Sequence, residues 1–265
     1  TWLRRQRQMC IRDSLNPIKS VSAIFFEWLL IAFAIAIHII FPHPLVYFLS
    51  WFIIATRLYA FYSLIHDAIH FLIVKNRKLN DLIAQVCLGL PLFISIKNMR
   101  KAHMAHHKYL QTENDPEMKH LEYKEFQYPK SKSNLIKLFL LDILGINLIY
   151  YQLLRLKSIV TDFKPSKFNK SKTKLFIFYC VAFGLIIYFA GLKALLLYWL
   201  IPYATLYQVI NRLRLSTEHF NLGDSSETNT RSVVPNFIER WTLTPYNLSL
   251  IHITEPTRRH LIANA

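Results

Sequence analysis

Four long apolar runs, arranged as two pairs, constrain this chain more than any other feature. Ser22–Ile40 (SAIFFEWLLIAFAIAIHII) contains one acid, Glu27, in its first third. At about 1.5 Å per residue a helix of this length nearly crosses a hydrocarbon core of about 30 Å. Phe41-Pro42-His43-Pro44 interrupts it, because neither proline continues a helix. Leu45–Ile65 then returns, with one cation, Arg57, in its last half. Lys174–Ala190, a short Gly191-Leu192-Lys193 turn and Ala194–Ile210 repeat the pattern. The expectation is an all-α integral membrane fold of four transmembrane helices in two hairpins, with a helical cap between them. Two shorter apolar stretches inside that cap, Leu82–Ile96 and the amphipathic Leu135–Leu154, are expected to lie on or dip into the interface.

Charge sets the orientation. The chain holds 32 Lys and Arg against 16 Asp and Glu, a formal +16, and more than half of those cations fall between the hairpins. The two turns share a single one, Lys193. By the positive-inside rule the middle segment faces the cytoplasm, where basic loops meet anionic headgroups. No nucleic-acid recognition motif accompanies the charge, so no nucleic-acid partner is expected. With 53% apolar and 14% aromatic residues the chain is far from the composition of disorder. Three cysteines and no CxxC exclude a disulfide framework and a thiolate zinc site.

The ends carry a signature of their own. Met9-Cys10-Ile11-Arg12-Asp13-Ser14 can be written ATG TGT ATA AGA GAC AG, and the reverse complement of that string encodes Leu-Ser-Leu-Ile-His-Ile. Leu248–Ile253 is that hexapeptide, residue for residue. Residues 1–14 and 248–265 are therefore expected to be adapter-derived tails, and 15–247 to be the native membrane domain.

Histidines supply the chemistry. His66-Asp67-Ala68-Ile69-His70 stands where the second run ends, and positions i and i+4 of a helix share a face, so both imidazoles can reach one metal. His103-Met104-Ala105-His106-His107 offers a second pair, His103 with His106 or His103 with His107. Five of the 11 histidines lie in these two clusters on one expected side of the membrane. Imidazole suits Fe, Zn, Cu or Ni, and the set exceeds what one four-coordinate zinc needs. Glu218-His219 returns to the same side after the fourth run. His38 and His43 fall at the opposite face.

HDAIH (His66–His70), HMAHHKYLQTENDPE (His103–Glu117) and Glu218-His219 together resemble the membrane fatty acid desaturase superfamily. Asn76–Asp81 is similar to the polar link of its bacterial acyl-lipid members. The resemblance implies two iron ions held by histidines on cytoplasmic extensions of the spans. By position it makes His66, His70, His103, His106, His107 and His219 ligands. It sets Asp67, Asp115 and Glu218 beside them, orienting imidazoles or ordering the loop. It further implies an O2-dependent oxidoreductase that desaturates a fatty acyl chain in a bacterial cytoplasmic membrane. Electrons would come from a separate ferredoxin or cytochrome b5 type donor. Hydroxylases and carotenoid ketolases share such first boxes and are the nearest alternatives. A non-catalytic metal-binding membrane protein is disfavoured, because the runs hold no mid-membrane chain of ionisable groups. The family follows Pro-Tyr-Asn with a third box, HxxHH. Here Pro245-Tyr246-Asn247 leads into the adapter-like string, and His252 does not restore the box. The expectation is a fragment of a longer gene that holds two irons poorly.

Overall fold

The computed structural model describes residues 16–109, 114–116, 127, 129–161 and 170–218. These are helical, joined by short turns. Three helical runs are long and apolar enough to cross a membrane: α1 (Pro17–Ile40), α2 (Pro44–Ile69) and the run Phe176–Arg214. A fourth candidate is a bent pair, α5 (Lys132–Ile143) with α6 (Ile146–Thr161). Large apolar side chains on these helices face outward, Phe176, Tyr188 and Phe189 at 68%, 81% and 80% exposure, as lipid-facing surfaces do. The chain is an all-α membrane protein.

The sequence dictates the helix ends. Asn16 accepts the Lys19 N–H at 3.0 Å and Pro17 takes the first helical position of α1. Pro42 and Pro44 break the chain before α2, as expected. Asn76 caps α3 (Arg77–Ala84) by accepting from Lys78 and Leu79. A π-helical turn, Gln85–Gly89, follows α3. α4 (Ile96–Tyr109) carries the second histidine cluster.

The described chain forms two compact units. Of the described residues, the first unit includes 16–30, those within Arg57–Pro129, and 212–218. Its core is Leu58, Phe61, Ile65, Ile69, Ile73, Leu88, Leu92 and Ile96, all 0–1% exposed. Glu27 of α1 meets Arg57 of α2 at 2.9 Å, both buried. Trp28 donates to the Cys87 carbonyl of the π turn at 3.0 Å. Gln85 donates to the Ile94 carbonyl and accepts from the Ile96 N–H, folding the 90–95 loop back onto its own helix. Gly89 permits that return, since a Cβ there would stand 2.6 Å from the Ile94 carbonyl oxygen.

The second unit comprises Ile31–Thr56 and Lys130–Asn211. Several of its polar groups bond to one another or to backbone carbonyls inside the apolar surroundings, as lipid requires. Ser50 donates to the Ala34 carbonyl at 2.7 Å, Tyr47 to the Leu197 carbonyl at 3.1 Å, and Trp51 to Thr205 Oγ1 at 2.9 Å. His38 Nδ1 lies 2.7 Å from the Tyr198 hydroxyl. Leu135–Leu154 differs from the single amphipathic helix expected of it. The path turns by 80° between α5 and α6, because Gly145 (φ +72°) ends α5 in the left-handed conformation and Asn147 donates to Asp142 at 2.6 Å across the corner. Gly191 (φ 82°, ψ 155°) interrupts α7 (Lys170–Leu195) where the turn of the second hairpin was expected. The chain goes on through a π turn at Leu196–Leu200, α8 (Ile201–Ala204) and α9 (Leu206–Glu218).

Candidate metal centre

His66 and His70 occupy the last turn of α2 and the position just beyond it. Four residues apart, their rings lie one above the other, with centroids 4.9 Å apart. His103, from the middle of α4, closes the triangle. Its ring stands 4.6 Å from that of His66 and 5.2 Å from that of His70, edge-on to both. One ring nitrogen from each of the three lies within 4.8 Å of the others. His66 and His103 are buried at 8% and 4% exposure, and His70 is half-buried. Nitrogens bound at about 2.0–2.1 Å to a common ion lie some 3–4 Å apart, so a small closing of this triangle suffices to hold one. The donor set, three neutral-capable imidazoles with no thiolate or carboxylate among them, fits a borderline divalent metal such as Fe(II).

His106 is the neighbour of His103 on the same helix, with ring centroids 5.9 Å apart. Its Nδ1 lies 2.9 Å from both carboxylate oxygens of Asp115, which is wholly buried. A hydrogen bond from Nδ1 to this carboxylate leaves Nε2 as the atom turned to a metal, the arrangement by which carboxylates orient metal-binding histidines. Asp67 lies half-buried between the first two histidines in sequence, and its carbonyl accepts the Leu72 N–H. His107 is helical, on α4. Glu218 ends α9. The expected ligand His219 lies outside the described residues. The structure thus brings together His66, His70 and His103, with His106 and Asp115 adjoining through α4.

Sequence reasoning missed the group that joins the two histidine helices. Arg100, three residues before His103, donates from Nε to the Ile69 carbonyl at 2.8 Å and from a terminal nitrogen to the Ala68 carbonyl at 3.0 Å. Both carbonyls lie between His66 and His70. The same guanidinium grips Asp81 of α3 with two bonds, 2.9 and 2.6 Å. Its hydrogen bonds hold the Asp81 carboxyl below the usual carboxylate range. Asn80, fully buried, donates to the Ala68 carbonyl at 2.9 Å and accepts the Ile73 N–H at 3.1 Å.

The turn beneath Arg100 is strained. Phe71 N–H bonds the Ala68 carbonyl and Leu72 N–H bonds the Asp67 carbonyl, the double closure of a helix C-terminus usually built on glycine. Phe71 adopts φ 60°, which costs a non-glycine residue about 1–3 kcal/mol. Its ring lies under two guanidinium groups, Arg100 at 3.8 Å and Arg77 at 4.9 Å. Cation–π contacts of this kind contribute about 0.5–2 kcal/mol each and offset the strain. The available signal was the placement of Arg100 on the His103 face of α4, one turn before the ligand.

Compared with protein families, residues 42–254 match the model of the family described as fatty acid desaturase. That span contains both histidine clusters. A search of curated proteins gives no match.

Proposed function

The chain belongs to the fatty acid desaturase family, and we propose that its gene encodes an O2-dependent di-iron enzyme that desaturates a fatty acyl chain in the membrane. The balanced reaction is –CH2–CH2– + O2 + 2 e− + 2 H+ → –CH=CH– + 2 H2O, with the electrons drawn from a separate donor protein. When bound, an iron pair supplies the oxidising power that an unactivated C–H bond demands and no side chain possesses.

The chain's own residues do the rest. His66, His70 and His103 would hold iron at the end of α2. His106, oriented by Asp115, serves the metal site from the next turn of α4, with His107 and His219 completing the set. Burial of His66 and His103 keeps water from the ligating side chains. The apolar helices admit a substrate that never leaves the bilayer. The metal site faces the cytoplasm, where a soluble donor reaches it.

The observation that carries this reading is the meeting of three imidazoles from two helices within 4.8 Å in a chain of this family. Two measurements test it. Purified chain is expected to carry iron that the double variant His66→Ala/His103→Ala loses. A host expressing the protein is expected to accumulate lipids two mass units lighter, with a new cis double bond. Lipids gaining an oxygen would assign hydroxylation instead. Unchanged lipids in cells whose protein is iron-loaded would overturn an acyl-modifying role.

A further inference from the structure

We propose that Arg100 is a positioning residue that sets the spacing of the histidines across α2 and α4, a role that rests, for its effect on metal, on the centre described above. His66 and His70 belong to α2 and its final turn, whereas His103 belongs to α4. Nothing in either helix alone fixes how far the first two stand from the third. Arg100 does so through one rigid planar group. It spans from its own backbone on α4, one turn from His103, to the carbonyls of Ala68 and Ile69, which are flanked by His66 and His70.

Three features distinguish this from an ordinary surface ion pair. The Arg100 side chain is 15% exposed, and its guanidinium makes two bonds to backbone carbonyls as well as two to Asp81. Those carbonyls belong to the last turn of α2, whose partial negative charge favours a cation, and at Ala68 the guanidinium joins bonds from the Phe71 N–H and Asn80. The turn it covers holds Phe71 at φ 60°, with the Arg100 guanidinium stacked 3.8 Å from its ring. Losing Arg100 would therefore release the end of α2 at His70 and let the triangle open. Lysine cannot substitute, since a point charge does not satisfy two carbonyls and a bidentate carboxylate at once.

The test uses the full chain in detergent, with Co2+ as the probe metal. Wild type is expected to bind Co2+ with visible d–d bands of nitrogen ligation. Arg100→Ala and Arg100→Lys are each expected to bind at least about ten-fold more weakly, with shifted bands, the loss seen when groups orienting metal ligands are removed. Amide hydrogen exchange reads the clamp without metal. Both variants are expected to exchange faster at Phe71, Leu72 and Ile73, while the amides of α1 keep wild-type protection. Should Arg100→Ala not fold, Arg100→Lys and Asp81→Asn supply the same comparison. Unchanged exchange at residues 71–73, or wild-type Co2+ affinity and spectrum in the variants, overturns the positioning role. A wild-type chain that takes up no Co2+ overturns the metal centre, and the exchange data alone then decide whether the clamp exists.

Discussion

Removing Glu27 should destabilise the protein far more than removing Glu27 and Arg57 together. The two side chains meet at 2.9 Å with 7% and 5% of their surface exposed, inside a pair of spans. Charge centres about 4 Å apart attract by about 4 kcal/mol at an effective dielectric near 20. Desolvation of both groups cancels much of that gain while the pair is intact. Glu27→Leu removes the attraction and keeps the cost of burying Arg57, a net loss of about 3–5 kcal/mol. Glu27→Leu/Arg57→Met replaces both with apolar groups of similar volume and should be neutral or gain about 1–4 kcal/mol. For a chain of this size 1 kcal/mol moves Tm by about 2–4 °C. Thermal unfolding in detergent, followed by tryptophan fluorescence, should thus show the single variant about 6–20 °C below wild type and the double variant at or above it. A Glu27→Leu Tm within about 2 °C of wild type would refute the reasoning, as would a double variant at least as unstable as the single one.

Asp115→Asn keeps the volume but no longer pins the His106 tautomer, and metal affinity by titration should fall about 10–100-fold while far-UV circular dichroism is unchanged. Gly89→Ala forces a Cβ toward the Ile94 carbonyl and should cost about 1–3 kcal/mol, seen as a lower Tm. Asp81 should confer a stability that acid removes. Its folded pKa lies below the ordinary 3.8, so its contribution is complete above that value and fades as pH falls through the lowered one. The Tm gap between wild type and Asp81→Asn should be present at neutral pH and close in strong acid, and a gap that widens in acid would contradict the assignment.

The apolar runs made the spans legible, because a helix in lipid must be apolar over nearly its whole length and few other segments are. The proline break at 42–44 and the Gly191 interruption were legible for the same local reason, the backbone chemistry of two residue types. The corner at Gly145 was not. It depends on Asp142 and Asn147 pairing across a break that the amphipathic pattern of 135–154 runs straight through. His66 and His70 announced themselves by helical spacing, and His103 by its cluster. Spacing left open which partner His103 takes within that cluster, and the answer came from another helix. Arg100 and Phe71 were hidden because their roles are tertiary. The left-handed conformation of Phe71 runs against local preference, and the guanidinium groups over its ring reach it only through folding. Asn80 and Asp81 were visible as part of a family-like polar link, without any sign that they tie down the end of α2.

The central claim is that His66, His70 and His103 grip one metal ion. X-ray absorption at the iron edge of the purified, iron-loaded chain tests it most directly. The expected spectrum shows nitrogen ligands at about 2.0–2.2 Å with the outer-shell scattering of imidazole rings, diminishing in His66→Ala, His70→Ala and His103→Ala alike. Iron bound in full, with an unaltered imidazole signal in all three variants, would contradict it.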